Sequence, residues 1–146
     1  DPVKVLPQVS GMLVRRAFKE GDPVEKDKTV LFEIDKVQFE ADLNKAKADV
    51  AKAEADIKNW AAQIKLAEAE FARAETSFKK GVGAQTDLDK TAANVDVARA
   101  QLDIARASKA NAVASEAKAA ENLRYCTILA PITGSTSPAA TPNNAA

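Results

Sequence analysis

The sequence predicts an α+β protein that is mainly α: a long antiparallel coiled-coil α-hairpin inserted into a small, incomplete β-rich module. Large apolar residues recur at every seventh position through residues 43–78. The charged, alanine-rich pattern breaks once, at residues 79–83, and then resumes, while both ends of the chain carry short β-branched segments. A seven-residue apolar repeat keeps one stripe of a helix against a partner helix, and glycines at the break allow the chain to reverse.

Residues 1–35 predict the first half of the β module. Apolar and polar residues alternate along three candidate strands, at residues 3–6, 11–16 and 29–34. Gly21 and Pro23 mark a turn at residues 20–23. A further strand is expected at residues 127–130, within a return segment that spans residues 125–134. Because a hairpin returns the chain to its starting point, we expect this strand to lie beside the first set.

The middle of the chain predicts the hairpin itself. Its parts are a helix over 36–80, a tip at 81–85 and a second helix over 86–124. At about 1.5 Å per residue, arms of roughly 40 residues extend on the order of 60 Å. Asp35 with Gln38 and Thr86 with Asp89 have the spacing of capping boxes, which predicts the start of each helix.

A narrow apolar seam is predicted between the two arms. Its members are Leu43, Val50, Ile57, Trp60, Ile64, Phe71, Val95 and Leu102. In the second arm the next position of the repeat is Lys109, and the inward candidates over 105–120 are almost all alanine. Two interpretations stay open there, a thin alanine seam or a stutter that changes the register. Trp60 lies among seam alanines, so we interpret it as a packing residue and not as a ligand-binding one.

Composition excludes several function classes. The 146 residues carry 21 basic and 21 acidic side chains with no basic block, which argues against nucleic-acid binding. With no histidine and one cysteine, Cys126, the chain offers neither the usual zinc ligands nor an internal disulfide. No nucleophile–base pair, carboxylate dyad or phosphate-binding glycine loop is present, so we expect a protein that is not an enzyme and holds no cofactor. No apolar run approaches the length of a membrane span and no signal peptide precedes residue 1, so an export signal or anchor is expected to lie outside this chain.

The flanks of the hairpin resemble a known family. The motifs VSG, EGDPV and LFEID, at residues 9–11, 20–24 and 31–35, are similar to the first half of the lipoyl-like module of periplasmic adaptor proteins, also called membrane fusion proteins of the HlyD family. Residues 123–134 resemble the segment at which such chains re-enter that module after their hairpin. Both half-motifs occur in the family's order on either side of a hairpin, and the resemblance covers residues 3–134.

What the resemblance implies is transport. Such adaptors are non-enzymatic periplasmic proteins, associated with the inner membrane, that link an inner-membrane pump to a TolC-like outer-membrane channel in the tripartite efflux of drugs or other small molecules. They self-associate into rings, commonly of six, and the tip of the hairpin meets the channel. The β segments of this chain would then belong to a lipoyl/biotinyl-like module, and we expect the domains that usually contact the pump to lie outside this chain.

The tip carries a more specific resemblance. Arg73 before the turn and Leu88 after it have the spacing found in adaptors that serve RND-type efflux pumps. The implied channel-docking residues are Arg73, Ser77, Phe78, Gly81, Val82, Gly83, Ala84, Gln85 and Leu88. Ser77 and Ala84 replace a leucine and a serine of the family pattern. Without that apolar side chain and that capping hydroxyl, a contact built on them is expected to be weaker.

Other interpretations stay open. The chain could serve a type I secretion system or another pump class, or it could be a coiled-coil spacer in which Arg73 only pairs with Glu70 along the helix. A lipoyl- or biotinyl-type carrier would modify Lys36, which follows Asp35 as at the modified turn of true lipoyl domains; here, however, a helix is expected to begin at that point. The low-complexity residues 135–146 are predicted to be disordered.

Overall fold

The computed structural model describes residues 3–136 of the 146-residue chain. Its elements are, in order, β1 (Leu13–Arg16), β2 (Pro23–Val24), β3 (Val30–Ile34), α1 (Val37–Lys79), α2 (Gln85–Tyr125), β4 (Thr127–Leu129) and β5 (Gly134–Ser135). Both helices begin and end one residue from the predicted boundaries. The chain divides into two compact units. We call residues 3–44 with 117–136 the β unit, and Lys45–Glu116 the hairpin unit.

The β unit is built around β3. This strand pairs antiparallel with β1 on one edge and with β4 on the other, with Arg16 and Ile128 both in register with Phe32. The Ile34 amide also donates to the Cys126 carbonyl at 2.8 Å. The return segment therefore lies beside the strands that precede the hairpin, as the sequence predicts.

A second, two-stranded sheet was not predicted. β2 pairs antiparallel with β5, and the pairing continues because Thr136 donates its amide to the Asp22 carbonyl at 3.1 Å. Strands of two residues carry too little pattern to be found in a sequence. The first two residues of the tail predicted to be disordered, Ser135 and Thr136, therefore take part in this pairing, and the rest of that predicted tail lies outside the described residues.

The prediction of a strand at residues 3–6 is wrong. No strand includes them, Val3 and Leu6 are exposed, and only Val5 packs on the core of the β unit. The alternating pattern is present, but a strand also needs a partner whose backbone accepts and donates its hydrogen bonds. The predictions at 11–16, 29–34 and 127–130 each contain an observed strand, shorter than expected.

The core of the β unit is small and aromatic. Its buried members are Phe18, Val24, Leu31, Phe32 and Ala130. The rings of Phe18 and Phe32 meet edge to face, with centroids 5.3 Å apart and planes at 85°. Because Leu31 and Phe32 are adjacent in β3 and both buried, that strand is covered on both faces.

The start of α1 differs from the predicted capping box. The Asp35 carboxylate accepts the Val37 amide at 3.0 Å, so it does satisfy one of the free amides at the helix start. Gln38 does not return this bond; its side-chain amide donates to the Asp42 carboxylate at 3.0 Å. The Asp35 amide is already bonded to the Met12 carbonyl of the β unit, which leaves no donor for Gln38 to accept.

In the hairpin unit the two arms pack through one stripe of each helix. Ala67, Val95 and Ala98 form its buried centre, with Ile64 and Phe71 packed against them. Burial continues at the seven-residue spacing through the stretch where a stutter was considered: Ala105 is buried, and Lys109 and Ala112 are half-buried. The thin alanine seam is therefore the interpretation that the structure supports.

Candidate functional site

The loop between α1 and α2 ends the first helix with a Schellman motif. The Gly81 amide donates to the Phe78 carbonyl at 2.9 Å and the Val82 amide to the Ser77 carbonyl at 3.1 Å. The Gly83 amide donates to the same Ser77 carbonyl, also at 3.1 Å. These bonds satisfy carbonyls that a helix end leaves unpaired. The backbone of the tip loop is therefore fixed by the hairpin itself.

Two glycines make this loop possible, for different reasons. Gly81 has φ of 76°, a conformation that costs other L-residues energy. Gly83 has no room for a side chain: a Cβ there would lie 2.8 Å from the Phe78 nitrogen and 3.0 Å from the Ser77 carbonyl carbon. Because both obstacles are backbone atoms of α1, they cannot move aside without opening the helix end.

The tip of the hairpin, which is the loop together with the last turn of α1, holds apolar side chains in solvent. Val82 is 82% exposed and Phe78 is 40% exposed. In a Schellman motif the residue at the Val82 position usually packs on the one at the Ser77 position, and the serine gives it little apolar surface to cover. Gly81, Ala84 and Gln85 are also exposed, whereas Ser77, Gly83 and Leu88 are half-buried.

Arg73 is exposed on α1, six residues before the helix ends at Lys79. No acidic side chain within residues 3–136 lies at ion-pair distance from it, so the pairing with Glu70 that the sequence allowed is not formed. Nearer the tip, Glu75 pairs with Lys79 at 3.1 Å. Arg73 therefore keeps its guanidinium available for another molecule.

The predicted cap of the second helix is wrong. α2 begins at Gln85, so Ala84 occupies the capping position, and its carbonyl accepts the amides of Asp87 and Leu88 at 3.2 and 3.3 Å. Thr86 lies inside the first turn. Alanine has no side-chain oxygen for the free amides of that turn, whereas serine, threonine, asparagine and aspartate do.

Replacing Ala84 with serine is therefore expected to stabilise the hairpin unit by about 1 kcal/mol, because the hydroxyl would accept an amide of the first turn. The measurement is the urea midpoint of helix unfolding, followed by circular dichroism. Ala93→Ser, at an exposed position inside α2, is the matched control and should lower stability by a few tenths of a kcal/mol. Equal responses of the two variants would contradict the capping assignment.

The seam residues predicted from the repeat lie on the packed side of the arms. Val95 is buried, and Val50, Ile57, Trp60, Ile64, Phe71 and Leu102 are half-buried in the hairpin unit, as is Leu43 in the β unit. Trp60 borders an open groove of about 250 Å³, together with Leu66, Glu70 and Val97. The groove lies along the surface of two packed helices and encloses nothing.

Lys36, the residue that a carrier domain would modify, lies at the start of α1. Its ammonium group is 2.9 Å from the Glu33 carboxylate. This hydrogen bond and the lysine charge, with a smaller contribution from the charge of Arg15, hold the pKa of Glu33 below its ordinary value. A modifiable lysine needs an exposed tight turn between two strands, and here the side chain is only 35% exposed and a helix follows.

Cys126 lies at the return of the chain into the β unit. It is completely buried, and its thiol contacts the Asn122 carbonyl at 3.4 Å. Burial raises the pKa of the thiol, so the reactive thiolate is scarce at neutral pH. Within residues 3–136, no group of three or more cysteine, histidine or acidic side chains is arranged to hold a metal ion.

We expect Cys126 to resist thiol reagents in the folded protein and to react at the rate of a free thiol once the β unit unfolds. The measurement is the rate of reaction with Ellman's reagent at neutral pH, with and without denaturant. An exposed serine replaced by cysteine, Ser108→Cys, is the control and should react at once in the native state. Rapid native reaction at Cys126 would contradict the burial described here.

Neither helix, within the part of the chain that the structure describes, has an apolar stretch suited to crossing a bilayer. The site is thus a hairpin end with an ordered loop, two exposed apolar side chains and an arginine that has no ion-pair partner among residues 3–136. Such an arrangement can bind another protein by apolar and charged contact.

Comparison with known proteins gives a family match. The family model described as the barrel-sandwich hybrid domain of RND membrane fusion proteins matches residues 1–142. Among curated proteins, no significant match was found.

Solved structures give the fold. MacA from Actinobacillus actinomycetemcomitans superposes with a TM-score of 0.85 at 27% identity, over 92% of this chain and 41% of that one. Spr0693, a membrane fusion protein from Streptococcus pneumoniae R6, gives 0.62 at 24% identity, over 86% of this chain and 44% of that one. The periplasmic adaptor protein EmrA gives 0.56 at 13% identity, over 91% and 64%. The last two similarities concern the fold alone, and the chain spans less than two thirds of each protein.

Proposed function

Since the chain belongs to the RND membrane fusion protein family, as its barrel-sandwich hybrid domain, we propose that it is the part of a non-enzymatic periplasmic adaptor that reaches an outer-membrane channel. In this proposal the adaptor links an inner-membrane transporter to a TolC-like channel, and the tripartite assembly exports drugs or other small molecules. The docking surface is the hairpin tip, formed by Phe78, residues 81–85 and Arg73.

The observation that carries the proposal is the tip loop. Its backbone is fixed by the three bonds to the carbonyls of Ser77 and Phe78, so docking loses little loop entropy. Val82 and Phe78 present apolar surface, and Arg73 presents an exposed guanidinium without an ion-pair partner among the described residues. Apolar side chains and arginine are the residue types that most often dominate the energy of protein contacts.

Further parts of the proposal concern the whole protein. In this proposal a ring of copies, six in number, gathers several tips into one docking face, and the full-length adaptor is associated with the inner membrane. The family match and the similarity to MacA support these points at the level of the family.

The proposal is tested by drug export in cells that carry the full-length protein with its tip changed. Arg73→Glu combined with Val82→Asp is expected to abolish export while the protein is made at its normal level. Lys65→Glu, a charge reversal at an exposed position along α1, is the control and should leave export unchanged. Normal export by the tip variant would contradict the proposal and indicate that the hairpin is a spacer that does not dock.

A further inference from the structure

Two ion pairs join the helices across the hairpin unit. Lys109 Nζ lies 3.0 Å from Glu54 Oε1, and Arg99 Nη2 lies 2.9 Å from Glu68 Oε1. Lys109 is unusual because it takes the repeat position seven residues after Leu102, on the packed side of α2, where an apolar residue is expected. Its side chain is 39% exposed, whereas that of Arg99 is 59% exposed.

Apolar packing specifies the register of the arms weakly in this region. Around the Glu54–Lys109 pair, Ala46 and Ala53 are buried seven residues apart on α1, and Ala105 and Ala112 are buried and half-buried seven residues apart on α2. If one arm slid along the other by seven residues, alanine would again face alanine. Such short side chains do not interlock as knobs in holes, so they contribute little to fixing the register of the arms in this region.

The charges resolve this ambiguity. Seven residues before Glu54 the helix carries Lys47, and seven residues after it Ala61. A slide in one direction would bring Lys109 against a like charge, and a slide in the other would leave it without a partner. We infer that Glu54 and Lys109 are positioning residues that set the register of the two arms, and through it the residues that form the tip. A charged side chain at one seam position is a known means of specifying register, even though it stabilises less than an apolar one.

The register matters for docking, and this step rests on the proposed function. If one arm slides by seven residues, the centre of the turn shifts by half as many residues along the sequence. Gly81 would then leave the position at which its φ of 76° and the Schellman bonds are needed. Val82 would no longer be held outward. The pair is therefore expected to act at a distance on the tip.

The inference is tested on the present chain with spin labels on cysteines introduced at the exposed residues Ala51 and Ala93. Pulsed electron–electron double resonance measures the distance between the two labels. Because Glu54 faces Lys109, the two labels lie at different heights along the arms, so a slide changes their separation. The native Cys126 is buried, and labelling of protein without the new cysteines measures any background. The readout depends on the arms alone, so it can fail or succeed independently of channel docking.

Native protein is expected to give one distance. Lys109→Glu, which repels Glu54 and attracts Lys47, is expected to add a second distance that differs by about 10 Å, the rise of seven residues. The double reversal Glu54→Lys with Lys109→Glu should restore the single distance, and Lys65→Glu should never change it. One distance in Lys109→Glu, or two in the double reversal, would overturn the inference. If Lys109→Glu does not fold, the double reversal is the test: a folded protein with one distance supports the inference, and one with two distances overturns it.

Discussion

Replacing Phe32 with alanine is expected to destabilise the β unit by about 3 to 5 kcal/mol, the largest stability effect of any substitution considered for this chain. The ring is 3% exposed, meets Phe18 edge to face, and lies on the central strand of the three-stranded sheet. Its loss would leave a cavity in a core of five buried side chains, and so small a core has little other packing to compensate.

Cys126 provides the measurement. Its thiol is exposed only when the β unit opens, so its reaction rate reports the population of the open form. A loss of 3 to 5 kcal/mol corresponds to an increase of roughly 100-fold to several thousand-fold in that rate. Phe78→Ala, the same substitution at a ring that is 40% exposed, should change the rate by no more than about twofold to threefold. Equal effects of the two variants would contradict the assignment of Phe32 to the core.

Replacing Gly83 with alanine is expected to rebuild the tip loop and abolish export by the full-length protein. The added Cβ would lie 2.8 Å from the Phe78 nitrogen, and real carbon atoms do not approach so closely. The loop would have to leave the Ser77 carbonyl, and the residues that it holds, Val82 above all, would move with it. Overpacking of this kind costs about 1 to 3 kcal/mol locally, which the long arms can absorb without unfolding.

The expected result is therefore an adaptor with native helical content and no export. Drug susceptibility of the cells reports export, and circular dichroism of the present chain reports helix content. Gly134→Ala is the matched control, because a Cβ there meets nothing within 4 Å and that glycine has no positive φ. Full export with Gly83→Ala would show that docking does not require this loop geometry.

Long periodic elements could be predicted from the sequence, and short ones could not. The seven-residue repeat and the glycines at the turn located both helices to within one residue, and the fold class is confirmed by the similarity to MacA. The RND membrane fusion resemblance, built on motifs at both ends of the hairpin, is confirmed by the family model. The pairing of β2 with β5 escaped prediction because strands of two residues carry no periodicity, and their partners are more than 100 residues apart.

Features of the site that depend on one residue's exact position were harder to predict. A helix start that differs by one residue moves the cap from Thr86 to Ala84 and changes which hydroxyl could serve. Lys109 was visible as an interruption of the repeat, but its partner could not be found in the sequence, because Glu54 has Lys58 at the favourable spacing along its own helix. The docking role of the tip residues stays a prediction.

Site-specific photo-crosslinking in cells tests the central claim most directly. A photoreactive amino acid replaces Arg73, Phe78 or Gln85 in the full-length protein, Lys65 along the arm serves as the control position, and captured partners are identified by mass spectrometry. The adaptor proposal expects an outer-membrane channel to be captured from the three tip positions and not from Lys65. Capture of neighbouring adaptor copies alone from every tip position, with export intact, would contradict it.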